Sequence, residues 1–182
     1  MKITQMKLAL LSAPLRVPFR TALREVSAVE DVVVELTDAE GRVGRGEAPP
    51  TAAVTGETLG SITAALRGHI GPALAGREFN GLDEIFAAIA GSIKGNSSAK
   101  AAAGIAVWDL YAQQCGLPLY KLLGGGKTSI VTDLTISVNE PDVMERDAAY
   151  AVAQGYDTLK IKVGESPELD IARLRAVRRA AP

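Results

Sequence analysis

With one cysteine and one histidine in 182 residues, the sequence has little of the chemistry that builds zinc clusters or nucleophilic triads. The lone Cys115 excludes an internal disulfide and a cysteine-cluster zinc site. It sits on an apolar helical stretch beside Gly116 and reads as a small packed residue rather than a nucleophile. His69 cannot make a multi-histidine metal site and has no motif of a Ser-His-Asp triad around it, so it takes no role. Net charge is missing too. With 20 basic and 21 acidic side chains there is no reason to expect nucleic acid or an anionic membrane as partner. No run is long and apolar enough to span a bilayer, and the start Met1-Lys2-Ile3-Thr4-Gln5-Met6-Lys7 lacks a signal peptide's apolar block, which gives the expectation of a cytoplasmic protein. What is present is a chain 47% hydrophobic, enough to bury a core.

The pattern changes twice along the chain. Residues 6–11, 29–37 and 43–48 read as strands, the last two joined by the turn residues Asp38-Ala39-Glu40-Gly41, so an antiparallel meander is expected. Residues 14–27, broken by Pro14 and Pro18 and rich in apolar residues and arginine, read as an irregular lid. Gly41, Gly44 and Gly46 follow a turn and open a strand instead of a helix, so they read as part of a hairpin rather than as a phosphate cradle. Helices are expected at 58–74, 82–93 and from Ser97 or Ser98 to 114, the last capped by Asn96-Ser97-Ser98 and rich in small residues between Ala101 and Ala112, a sign of close packing. Gly124-Gly125-Gly126 reads as a helix stop and joint, dividing the chain into domains at 1–125 and 126–182. Beyond it, strand 130–138, helix 141–154, strand 158–163 and helix 167–179 alternate, which means parallel pairing. An eight-unit barrel takes roughly 250 residues. The second region is much shorter, so the sequence reads as part of a longer protein with an open strand edge.

Lys160 and Lys162 stand out in Tyr156-Asp157-Thr158-Leu159-Lys160-Ile161-Lys162-Val163-Gly164. Residues two apart on a strand share a face, so both ammonium groups enter one space while Ile161 packs the other side. In a short apolar strand that reads as buried, two like charges oppose each other's charging and desolvation adds to the effect. A lysine so placed can lose its proton near neutrality and act as a base.

Four segments together resemble the muconate-lactonizing subgroup of the enolase superfamily, and within it dipeptide epimerases of the L-Ala-D/L-Glu type. They are the Lys160-Ile161-Lys162 pair, the segment Ala106-Val107-Trp108-Asp109-Leu110-Tyr111 running on through Gly116 to Gly125, the stretch 132–138 with Thr135, and Phe19-Arg20-Thr21-Ala22-Leu23-Arg24. The resemblance implies an α+β capping domain followed by the first two β/α units of a modified (β/α)7β barrel, incomplete in this chain. It implies Mg2+-dependent removal of a proton α to a carboxylate or carboxamide, with Lys162 as the base. Lys160 would tune that base and contact the substrate carboxylate. Thr135 and Arg24 would bind a dipeptide, the arginine taking a distal carboxylate.

By the same resemblance, the three acidic magnesium ligands and an opposing lysine belong to later barrel strands and are expected beyond Pro182. Asp133, Asp157, Glu165, Glu168 and Asp170 are not assigned as ligands. A cycloisomerase, an o-succinylbenzoate synthase and an N-acylamino acid racemase share the lysine pair and stand as alternatives, as does a non-catalytic module binding a carboxylate ligand or a partner. The expected assembly is a homo-oligomer.

Overall fold

Val32, Val34 and Leu36 are buried while the residues between them are half-exposed, the period of a strand covered on one face. In the computed structural model, which describes residues 1–127 and 129–182, this strand is β2 (Glu25–Asp38). It lies between β1 (Ile3–Arg20) and β3 (Val43–Ala48). β3 pairs antiparallel with β2 from Thr37 opposite Val43 to Val32 opposite Ala48. The turn between them is held by the buried Asp38 carboxylate, which accepts from the Glu40 and Arg42 N–H groups at 3.0 and 2.9 Å and from Arg42 Nε at 2.7 Å.

Residues 14–27 are more regular than expected: β1 continues to Arg20, β2 starts at Glu25, and only 21–24 form the tip. The reason lies in the sheet order. β1 is an edge strand, where alternate N–H groups point away from the ladder, and Pro14 and Pro18, four residues apart, fall on the same side.

The helices that follow are α1 (Ala52–Thr55), α2 (Leu59–Ala65), α3 (Gly71–Leu74), α4 (Leu82–Ser92), α5 (Ser97–Cys115) and α6 (Leu119–Leu122). A π-helical turn at Leu66–Ile70 joins α2 to α3. Pro72 accounts for it, because proline has no N–H to give the Gly68 carbonyl and its ring would clash there.

The chain divides into two compact units, Met1–Ala13 with Val29–Gly126, and Pro14–Ala28 with Lys127–Pro182. In the first, α5 lies on β3, where β-carbons at Gly44 and Gly46 would overlap the carbonyl oxygens of Ala106 and Ala102. Two strand residues span about 6.7 Å and four helix residues about 6 Å, so the glycine pair matches the alanine pair. α5 also satisfies the outer edge of β3, with Asp109 accepting from Arg45 N–H at 2.9 Å and Gln113 donating to the Val43 carbonyl at 2.9 Å.

Two expectations for α5 are corrected. Asn96 makes no side-chain cap; the buried Glu57 instead accepts from Ser98 N–H and the Ser97 hydroxyl, each at 3.1 Å, because a carboxylate answers the positive helix end better than an amide. Cys115 is exposed, not packed: the last buried residue of α5 is Ala112, and Gly116 ends the helix at φ 64°.

The second unit holds β4 (Leu134–Ile136), α7 (Pro141–Ala153), β5 (Leu159–Ile161) and α8 (Pro167–Ala180). β4 and β5 are parallel, with Leu134 beside Leu159, Thr135 beside Lys160 and Ile136 beside Ile161. Both strands are shorter than expected. Regular pairing covers three residues in each, and Ile130 and Val131 are 89% and 86% exposed, apolar but without a ladder to join. Ile136, Met144, Ala148, Ala151 and Val177 form this unit's core, with Leu134, Leu159 and Ile161 packed against it. Among the described residues no helix is long and apolar enough to cross a membrane.

Candidate active site

Leu134, Ile136, Leu159 and Ile161 turn toward α7 and α8, so the pleat sends Thr135 and Lys160 to the opposite face. The ladder runs one step further, since Lys162 N–H donates to the Ile136 carbonyl at 3.1 Å. Lys162 thus follows Lys160 on that face at the carboxyl end of β5. The two lysines are less enclosed than a buried strand implies. Lys160 is exposed and Lys162 half-buried, because β5 has a strand neighbour on one side only among the described residues. Water exclusion is therefore not supplied by these residues.

Arg24 reaches the same end of the strands through the β1–β2 tip. Arg20, the last residue of β1, accepts at its carbonyl from Val138 N–H at 3.2 Å, and its own N–H donates to Ser137 Oγ at 3.4 Å. The tip is a closed turn: Thr21 N–H donates to the Arg24 carbonyl at 2.9 Å, and Thr21 Oγ1 accepts from Arg24 N–H at 3.2 Å. Arg20 and Glu25 pair at 2.8 Å across its base. The Ala22 methyl lies 3.5 Å from where a β-carbon of Gly164 would stand, just past β5. Arg24 itself is exposed and makes no ion pair among the described residues, so the structure brings it to the end of the strands without joining it to Thr135 or the lysines.

Two residues at this end escaped the sequence reading. Ser137 lies two residues beyond Thr135, so strand period alone could have put it on the site face. Arg173 on α8 bonds to the loops after β4 and β5, and only its spacing from Asp170 hints at this. Burial works against the Arg173 charge, but its bonds to Glu165 and Asp170 prevail and hold its pKa above the ordinary arginine range. Glu165 and Asp170 are thus ion-pair partners. Among the described residues no three histidine, cysteine or acidic side chains could hold a metal ion, so the residues present do not fit a magnesium site. A cavity of about 1150 Å3 opens beside Tyr156, Leu159, Ile161, Leu174 and Val177. It lies on the apolar side of β5, not on the lysine face.

The family model for the mandelate racemase/muconate lactonizing enzyme N-terminal domain matches residues 3–124. The chain belongs to this family. Its architecture is accordingly the enolase-superfamily capping domain followed by the first two β/α units of the barrel. The family chain is 49% identical over 170 residues to an L-Ala-D/L-Glu epimerase of Clostridium acetobutylicum, covering 93% of this chain and 48% of that protein. A substrate-liganded complex of the Bacillus subtilis L-Ala-D/L-Glu epimerase superposes with a TM-score of 0.96 at 44% identity, over 100% of this chain and 51% of that one. A dipeptide epimerase of Enterococcus faecalis, complexed with Mg and L-Leu-L-Tyr, superposes at 0.91 with 38% identity, over 100% and 51%. The chain spans about half the length of the curated relatives it matches.

Proposed function

We propose that this chain works within a longer protein as a dipeptide epimerase acting on substrates of the L-Ala-D/L-Glu kind. The observation that carries the reading is the common face of Thr135, Lys160 and Lys162 at the carboxyl ends of two parallel strands, with the Arg24 turn bonded to that same end. The identity to relatives that epimerise such dipeptides supports it.

In this reading Lys162, uncharged, takes the proton α to the carbonyl of the dipeptide's second residue. The C–H bonding electrons pass into the adjacent carbonyl as an enolate, and Lys162 becomes an ammonium. A proton delivered to the opposite face inverts the centre, whereas its return from Lys162 restores the starting isomer. Lys160 faces the substrate carboxylate, Thr135 offers its hydroxyl, and the Arg24 fork takes a distal carboxylate such as a glutamyl side chain. The acid on the far face, and the magnesium ligands, are assigned to the part of the longer protein outside this chain. No step is routed through a metal here, because the described residues offer it no ligand set.

The test is α-proton exchange by the full-length protein in D2O. L-Ala-L-Glu should lose its glutamyl α-proton and yield L-Ala-D-Glu, and Lys162→Ala should abolish conversion in both directions. Undiminished conversion by Lys162→Ala overturns the role of Lys162, and no exchange by the wild type overturns the function. The 182-residue chain alone should show neither conversion nor a stoichiometric magnesium site by calorimetry.

A further inference from the structure

Arg173 is 2% exposed, and two of its three bonds run to loops while the third stays on its own helix, to Asp170. Nε donates to the Asn139 carbonyl at 2.7 Å, one terminal nitrogen donates to Asp170 at 3.0 Å, and the other to Glu165 at 2.6 Å. Asn139 belongs to the loop leaving β4, and Glu165 to the loop leaving β5, three residues past Lys162. The second oxygen of Asp170 accepts from Gly164 N–H at 2.8 Å. Gly164 has a φ of 123°, which side-chain-bearing residues rarely adopt, and it is the residue that Ala22 of the hairpin tip approaches. On the other side, Asn139 adjoins Val138, whose N–H holds the carbonyl of Arg20. One guanidinium therefore ties together the loops on which both flanks of the tip rest.

Burying a guanidinium carries a desolvation penalty, and apolar side chains would pack a helix against a sheet without it. What arginine adds is a rigid fork that can address three acceptors at once, here one on each of two loops and one on its own helix, which the point charge of lysine cannot. We propose that Arg173 is a positioning residue for the candidate site: it holds the loops after β4 and β5 in one arrangement, so that Lys162 and the tip bearing Arg24 meet the same substrate. This inference rests on the epimerase reading for the substrate, but not for the loop geometry.

The experiment compares Arg173→Lys, Arg24→Met and the double variant in the full-length protein, below their unfolding midpoints. Arg173→Lys should lower kcat/KM for L-Ala-L-Glu at least tenfold. The double variant should be little worse than the poorer single variant, because Arg173 acts by seating the tip that presents Arg24, and once the Arg24 guanidinium is gone its misplacement costs little more. The Gly164 amide proton should exchange at least tenfold faster in Arg173→Lys, while the amides in the middle of α7 keep their protection. Additive losses, kcat/KM within twofold of wild type, or unchanged Gly164 exchange overturn the proposal. Glu165→Gln, a change at a half-exposed side chain, removes one tie without threatening the fold and should show the same effects more weakly; a Glu165→Gln protein identical to wild type in both readouts also overturns it. If the wild type exchanges no substrate α-proton, the epimerase reading fails by itself, and Gly164 protection still decides whether Arg173 holds the loop.

Discussion

Thr135 stands directly beside Lys160 across the parallel β4–β5 pair, on the face turned away from the helices. The pairing gives the hydroxyl and the ammonium a shared space although 24 intervening residues include a whole helix. That space is where the proposed substrate carboxylate would sit.

Thr135→Val keeps the shape and removes the hydroxyl. A neutral hydrogen bond is worth about 0.5–1.5 kcal/mol, so kcat/KM for a dipeptide should fall by roughly 2- to 12-fold, with the thermal midpoint unchanged. Lys160→Met should cost far more, since it removes the charge as well as the donor. Steady-state kinetics of the two full-length variants decide this, and equal losses would show that the charge has no part in binding.

Arg24 should read the side chain of the second residue. A hydrogen bond to a charged group is worth about 1.5–3 kcal/mol, so Arg24→Met should lower kcat/KM for Ala-Glu by roughly ten- to a hundredfold. Ala-Leu should lose much less. Should both substrates fall together, Arg24 shapes the turn and does not recognise glutamate.

Glu57 caps α5 from a distance in sequence, and this can be seen in acid. Burial pushes its carboxyl up, but the bonds from Ser98 N–H and the Ser97 and Ser98 side chains outweigh it and hold the group below its ordinary 4.5. With the folded value below the unfolded one, its contribution is fully present above pH 4.5 and fades as the pH falls through the folded value. Glu57→Gln should lower stability at pH 7 by about 1.5–3 kcal/mol, and the gap from wild type should close below the ordinary glutamate range. Urea midpoints measured from pH 7 to pH 3 test it; a gap constant with pH would mean that the charge is not what caps the helix.

Gly46→Ala should force β3 away from α5, since the added carbon meets the backbone oxygen of Ala102, which cannot rotate aside. Overpacking of this kind costs about 1–3 kcal/mol. Gly60→Ala on α2 is the control: that residue is exposed, and only Thr58 Oγ1 comes near, at 3.8 Å. It should be neutral or stabilising by up to about 1 kcal/mol. Equal chemical-denaturation midpoints for the two variants would remove the helix–strand fit as the reason for the glycines.

The amino-acid order alone determined the local structure. The alternation around Val32, Val34 and Leu36, the turn at Asp38, the small-residue stripe of α5 and the strand–helix alternation after the triple glycine could all be read, because each depends on the period of a single element. The common face of Lys160 and Lys162 follows from the same period. Tertiary structure decided whatever joins residues far apart. It matched Gly44 and Gly46 to α5, capped that helix with Glu57 instead of Asn96, and kept β1 regular through two prolines because it is an edge strand. It also set Thr135 beside Lys160, bonded Arg20 to the end of β4, and gave Arg173 two loops to hold. Each of these depends on where a donor, an acceptor or a free edge lies in space, and no period within one segment carries that information.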